Sequence, residues 1–138
     1  VVMPGDQIRA ANAGFRPLVT YISRHQIAMP APVVQSEAEP DVWRVSFVMP
    51  AGSSLAALPN PDGQQVTLRQ VPAEMAAAIT FSGFTTSRRV EQQEAELRAA
   101  LAAAGIAVVG DARIARFDPP WKPGFLRHNE VVLPVRLR

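Results

Sequence analysis

The chain has 138 residues, enough for one domain built around one hydrophobic core. Its 48% hydrophobic and 19% charged residues are the proportions of an ordinary soluble globular protein, and the net charge of +2 without any long Lys/Arg run argues against nucleic-acid binding. The lack of cysteine excludes disulfides, thiolate metal sites and a cysteine nucleophile.

The N-terminal region does not indicate the cellular compartment of the protein. No apolar run reaches the roughly 20 residues that a membrane-spanning helix needs, and no signal peptide is visible. The compartment stays open, either cytoplasmic or exported with an N-terminal segment removed. Because residues 1–3 read as the end of a strand, we expect further residues upstream.

The first predicted element is an amphipathic helix over 6–22 with Asp6 as its N-cap. Its apolar stripe recurs at helical spacing and consists of Ile8, Ala11, Phe15, Leu18 and Ile22. Proline inside a helix removes one hydrogen bond and crowds the preceding turn. Pro17 therefore predicts a kink, or a short turn into a second helix.

Extended segments follow the first helix. Prolines hold 25–35 extended, while 40–50 and 66–72 alternate apolar and polar residues as half-buried strands do. The intervening 51–65 is rich in Gly, Pro, Ser and Asn, which predicts a loop. We interpret 73–84 as a strand, because the proline and glycine that flank it leave little room for a helix.

The last part of the chain predicts a helix over 86–104, ended by Gly105, and strands within 106–117 and 129–137. The order strand, helix, strand, loop, strand thus occurs twice. The predicted fold class is α+β, with two βαββ repeats. The first copy lacks a strand matching 66–72, which predicts that the first repeat is truncated at its N-terminus.

Histidines offer little catalytic chemistry. Two are present, too few for a three-histidine zinc site, and no G-x-S-x-G nucleophile elbow accompanies them. His25 precedes an apolar extended segment and could be an axial ligand to a haem iron. The alternative is a solvated histidine at a strand edge.

Methionine and arginine point to a ligand with apolar and anionic parts. Methionines suit a large flat apolar molecule, and Met29 could reach an iron; core filling is the alternative. Four arginines could pair with ligand carboxylates, or be solvated at helix and loop ends: Arg16, Arg24, Arg88 and Arg89. Glu130 beside Arg127 could be catalytic, but a structural hydrogen bond or ion pair is the alternative.

The stretch "RFDPPWKPGFLRHNEVVLPV" resembles the signature of the SOUL family of haem-binding proteins, with Phe117 in place of the usual tyrosine and His128 in place of the second arginine. Further segments resemble the family in order along the chain: 14–22, 27–34, 45–50, 58–72 and 81–84. The chain departs from the family in two features: it lacks the family's opening strand before the first helix and the family's loop after Ile22.

The resemblance implies a single domain over 1–138, a twisted open antiparallel barrel of two βαββ repeats with two helices packed outside. It implies haem or another tetrapyrrole as ligand, bound as a carrier, buffer or sensor and without catalysis, on an apolar surface beside the first helix. The site residues we expect are Phe15, Arg16, Val19, Ile22 and Met29, with His25 as metal ligand.

Two other functions stay open. The fold also resembles bacterial effector-binding modules for bulky hydrophobic ligands, which would need a buried carboxylate for a cationic molecule. An enzyme acting on a porphyrin or a lipophilic small molecule would need a carboxylate or histidine with a strongly shifted pKa in a cleft. The segment 118–123 reads as a stiff connector whose exit is fixed by Arg127, Asn129 and Glu130.

Overall fold

The protein folds into two compact units, Val1–Pro72 and Ala73–Arg138, each with one helix on an antiparallel sheet. The fold is therefore α+β, as predicted. The structure is a computed structural model that describes residues 1–27, 32–49, 53–61, 65–118, 123 and 126–137.

The first unit contains one helix and three strands: β1 (Val2–Pro4), α1 (Gln7–Arg24), β2 (Val33–Glu39) and β3 (Val42–Phe47). β3 lies in the middle, with β1 on one side and β2 on the other, both antiparallel to it. This arrangement confirms the strand predicted within 40–50, and it places α1 against the central strand of the unit.

α1 begins where the sequence predicts, because the Asp6 Oδ1 accepts a hydrogen bond of 2.9 Å from the Arg9 N–H. It then continues without interruption through Pro17 to Arg24, so the expected second helix does not form. The packing of α1 explains this continuity. At Gly14 the helix backbone lies so close to Val45 that an added Cβ would come within 2.9 Å of that side chain.

The core of the first unit is formed by Leu18, Tyr21, Ile22, Val45 and Val66. Val66 reaches this core from a segment with no regular secondary structure, so the prediction of a strand over 66–72 is wrong. The alternation that suggested a strand arises because Val66 is buried and Leu68 half-buried, while the residues between and after them are exposed. No described strand forms a ladder with this segment.

The second unit repeats the order of the first with one short addition: β4 (Ala76–Ser82), α2 (Ser87–Ala103), β5 (Ala107–Val108), β6 (Arg113–Arg116) and β7 (His128–Arg136). β7 is central, between β4 and β6, and β5 pairs with the C-terminal end of β7. The two-fold βαββ repeat is thereby confirmed, with β5 as an insertion in the second copy.

α2 also has the predicted ends. The Thr86 Oγ1 accepts a hydrogen bond of 3.2 Å from the Arg89 N–H, and Gly105 takes a left-handed φ of 72° just after the helix. One face of α2 packs on the sheet and builds the core of this unit from Leu97, Leu101, Leu133 and Val135.

Candidate functional site

The outer flank of α1 carries two of the apolar residues expected at the site. Phe15 and Val19 are one helical turn apart, so they share a face, and both are half-buried. The Phe15 ring packs edge-on against Phe47 of β3, with ring centroids 5.7 Å apart. Partly exposed apolar side chains beside a packed ring form a firm surface for a flat apolar ligand.

A shallow depression of about 350 Å³ adjoins this flank, lined by Ala13, Arg16, Pro17, Thr20 and Gln65. Its volume is near the lower end of the roughly 300–1,000 Å³ usual for ligand pockets. Arg16 is the charged residue among these lining residues, so the depression has a positive potential. The Thr20 hydroxyl donates to the Arg16 carbonyl at 2.9 Å and thus belongs to the helix itself.

Pro17 gives the depression a polar group that an ordinary helix would not present. Proline has no N–H, so the Ala13 carbonyl four residues earlier loses its usual helical donor. Ala13 and Pro17 both line the depression. A ligand in the depression can therefore meet the guanidinium of Arg16 and the side-chain amide of Gln65 within one small area.

The helical geometry brings together three of the six expected site residues. At about 100° per residue, Arg16 lies roughly 60° from Val19 and Phe15 roughly 40° from Val19 on the other side. Phe15, Val19 and Arg16 thus follow one another around the helix, and Arg16 links the apolar flank to the depression. Met29 lies outside the described residues.

Ile22 and His25 occupy different surroundings. Ile22 is only 4% exposed and belongs to the core beneath the flank. His25 follows the last residue of α1, where its ring centroid is 5.0 Å from that of Tyr21. The Tyr21 hydroxyl in turn donates to the Pro59 carbonyl at 2.6 Å, and burial raises the pKa of this phenol. His25 is therefore near the C-terminal end of the helix rather than beside Val19.

The sequence did not indicate four of the residues that line the depression: Ala13, Pro17, Thr20 and Gln65. Pro17 was noted only as an interruption of the helix, although the missing N–H was the one local signal for an unusual surface. Gln65 lies 45 residues after Thr20 in the chain, within a stretch predicted to be a loop, so no spacing rule brings the two together.

Side-chain hydrogen bonds hold the start of the last strand in place. Asn129 is 2% exposed and donates from Nδ2 to the Gly83 carbonyl at 2.8 Å. The Asp118 Oδ2 accepts from the backbone N–H of His128 at 2.5 Å. These bonds confirm that Asn129 fixes the entry to β7. The predicted stiff connector falls largely outside the described residues.

Two arginines lie where β4 leads into α2. The Arg116 Nε donates to the Thr85 hydroxyl at 3.0 Å, and the Arg127 guanidinium lies 5.8 Å from the Phe84 ring centroid. Burial, with a smaller effect of Arg127, lowers the pKa of Arg116 to about 10. Arg116 is still cationic at neutral pH, so two arginines lie near an exposed aromatic ring at this end of the second unit.

No cluster of metal-ligating side chains occurs among the residues that the structure describes. Within the same residues, neither helix combines the length and apolar character required to cross a membrane.

A family model described as SOUL heme-binding protein matches residues 1–134 of the chain. The match spans both compact units, including the flank of α1, the depression and the last strand. No curated protein sequence matches the chain significantly.

Proposed function

The chain belongs to the SOUL heme-binding protein family, and from that premise we propose that it is a non-enzymatic carrier, buffer or sensor that holds haem or another tetrapyrrole against the outer face of α1. The observation that carries this proposal is the continuity of the apolar flank, Phe15 and Val19, with the positively charged depression at Arg16.

This surface matches the two chemical parts of haem. The macrocycle is flat and apolar, so it gains from covering the half-buried side chains of Phe15 and Val19. The propionates are carboxylates, for which the guanidinium of Arg16 offers a charge-assisted hydrogen bond. Ile22 is buried under this flank and would support the ligand without touching it, whereas Met29 would extend the apolar contact.

His25 is our preferred ligand to iron, with Met29 second. A bound haem supplies an iron with free axial positions, for which imidazole nitrogen is the commonest protein ligand. His25 lies just past the end of α1 and close to the segment that leads to β2. Its ring packs on Tyr21, which restricts its orientation.

The charge of the depression separates this proposal from an effector-binding module for bulky cations. A cationic ligand would need a carboxylate in its cleft, but the charged residue lining the depression is Arg16. Arg16 would repel a cation and attract an anion. The proposed surface therefore favours an amphipathic acid such as haem over an aromatic cation.

Absorbance titrations with hemin and with metal-free porphyrin, run in parallel, test the proposal. We expect saturable binding of both, with a tighter hemin complex if His25 coordinates the iron. The His25→Ala variant should then lose the low-spin haem spectrum, while His128→Ala, a matched control on β7, should keep it. Failure of the wild-type protein to bind either tetrapyrrole saturably would refute the proposed function.

A further inference from the structure

The outer edge of β4 presents an unpaired row of backbone groups. β4 pairs with β7 in one uninterrupted register, from Ala76 opposite Pro134 to Ser82 opposite His128, and no other described strand pairs with it. The Val135 N–H donates to the Met75 carbonyl at 2.9 Å, which sets the alternation of the ladder.

That alternation determines which residues face outward. In an antiparallel pair, residues alternate between those that exchange hydrogen bonds with the partner strand and those whose N–H and C=O point away from it. Since Met75 bonds to β7, the odd-numbered residues of β4 do so as well. The outward set is Ala76, Ala78, Thr80 and Ser82, and the side chains of all four are exposed.

This edge has none of the usual protections against strand pairing. Natural edge strands are kept short, carry charges or proline, or contain a bulge. β4 has seven residues, reads "AAAITFS" and shows no register shift. The equivalent edge strand of the first unit, β1, ends in Pro4. The contrast between two strands in the same position of the repeat marks β4 as the edge open to a partner.

We propose that a second copy of this chain pairs with β4 along this edge, antiparallel and centred on Ile79, to form a two-fold symmetric dimer. In that register the outward groups of Ala78 meet those of Thr80 in the second copy, and Ala76 meets Ser82. All four outward residues then donate once and accept once. The edge is thus complementary to the same edge of a second copy, with the two-fold axis at Ile79.

The residues that flank β4 fit the same register. Met75 and Phe84 are 54% and 64% exposed at opposite ends of the strand. Antiparallel pairing places Met75 of one copy opposite Gly83 of the other, where no side chain obstructs it. Glu74, which forms an ion pair with Arg113 of its own chain, comes opposite Phe84 of the second copy.

A two-fold pairing of this kind is limited to two copies. It consumes the β4 edge in both copies, so growth through that edge stops at the dimer. The interaction does not involve α1, and it is therefore independent of tetrapyrrole binding.

Sedimentation velocity over a concentration series of the purified chain tests this proposal. We expect a species of twice 14.9 kDa at tens of micromolar. Ala78→Pro removes an outward N–H, which an edge strand tolerates, and should give a folded monomer. Thr80→Lys places a charge on the edge and should also weaken the dimer at least tenfold, whereas Asn60→Lys, the same charge on the first unit, should not.

The absence of cysteine allows a direct test of the register. Ile79→Cys places two thiols across the symmetry axis in a pair with Cα atoms about 4.5 Å apart, within disulfide range. Ala76→Cys places the thiols of the two copies six residues apart along the paired strands, roughly 20 Å. Mild oxidation should cross-link only the first variant. A wild-type monomer, a dimer unaffected by both edge variants, or equal cross-linking of both cysteine variants would overturn the proposal.

Discussion

At the scale of single residues, the buried polar groups of this protein hold chain segments in place. Asn129 shows this most clearly, because its amide reaches from β7 to the carbonyl of Gly83 just after β4. A carbonyl that is shielded from water and loses its donor keeps much of the cost of its desolvation, and this hydrogen bond is partly buried. Residues of this kind stabilise the fold although they form no reactive site.

Asn129→Ala should lower the free energy of unfolding by roughly 1–3 kcal/mol, because the Gly83 carbonyl would be left unsatisfied. Urea denaturation followed by circular dichroism measures the change. The matched control is Asn12→Ala on the exposed face of α1, which should be neutral or slightly stabilising. Equal effects of the two substitutions would show that the buried hydrogen bond contributes nothing.

The buried phenol of Tyr21 gives a prediction about pH. Burial raises the pKa of Tyr21, so as the pH rises past the usual value of about 10 the unfolded chain ionises before the folded one. The stability present below that pH is then lost as the pH approaches the folded pKa. Tyr21 is the one tyrosine in the sequence, so tyrosinate absorbance reports it alone.

The native titration midpoint should lie above that of the same chain in urea. A native midpoint equal to or below the urea value would contradict the burial of Tyr21. Tyr21→Phe should make stability less dependent on pH in this alkaline range, and the lost hydrogen bond to the Pro59 carbonyl should lower stability at neutral pH.

Local chemistry made several residues predictable from the sequence. Asp6 as N-cap and Gly105 as helix stop depend on neighbours within a few positions, and both are confirmed. Asn129 was predicted to hydrogen-bond at the start of the last strand. The depression was not predictable, because Gln65 meets Thr20 only after tertiary folding.

At the scale of elements, α1 shows that tertiary packing overrides a local interruption. Proline in a helix costs about 3 kcal/mol, yet α1 continues through Pro17 because its buried face is held against β3. Tertiary packing also explains why the strand predicted over 66–72 does not form. Alternating residues resemble a strand, but Val66 enters the core from an irregular segment.

Pro17→Ala should raise the free energy of unfolding by about 2 kcal/mol, because it restores a helical hydrogen bond and relieves crowding while the unfolded chain gains a little entropy. Pro40→Ala, in the turn between β2 and β3, is the matched control and should lower stability by roughly 0.4–1 kcal/mol. A loss of stability in Pro17→Ala would mean that its ring contributes packing worth more than the helix bond.

At the scale of the whole molecule, the chain has two compact units and one family match that spans both. The sequence predicted a single domain over 1–138, and this stays a prediction. The repeat could be predicted because each unit has the same order of elements, each with its own periodicity. The insertion of β5 could not, because two residues carry no periodic signal.

A single domain should unfold in one cooperative step. Trp43 lies on β3 of the first unit, so Trp121→Phe leaves one tryptophan whose fluorescence reports the first unit, while circular dichroism reports both units. The fluorescence and the circular dichroism of this variant should give the same urea midpoint. Separate midpoints would show two independently folding domains.

We propose that a tetrapyrrole binds to the apolar flank of α1. Hemin titration of wild type, Val19→Asp and Val109→Asp tests it most directly. Val109 is 49% exposed in the second unit and receives the same charge, so it is the matched control. Circular dichroism should first show that all three proteins are folded. We then expect saturable hemin binding by wild type and Val109→Asp, and a hemin affinity at least tenfold lower in Val19→Asp. Equal hemin affinity of Val19→Asp and wild type would contradict it.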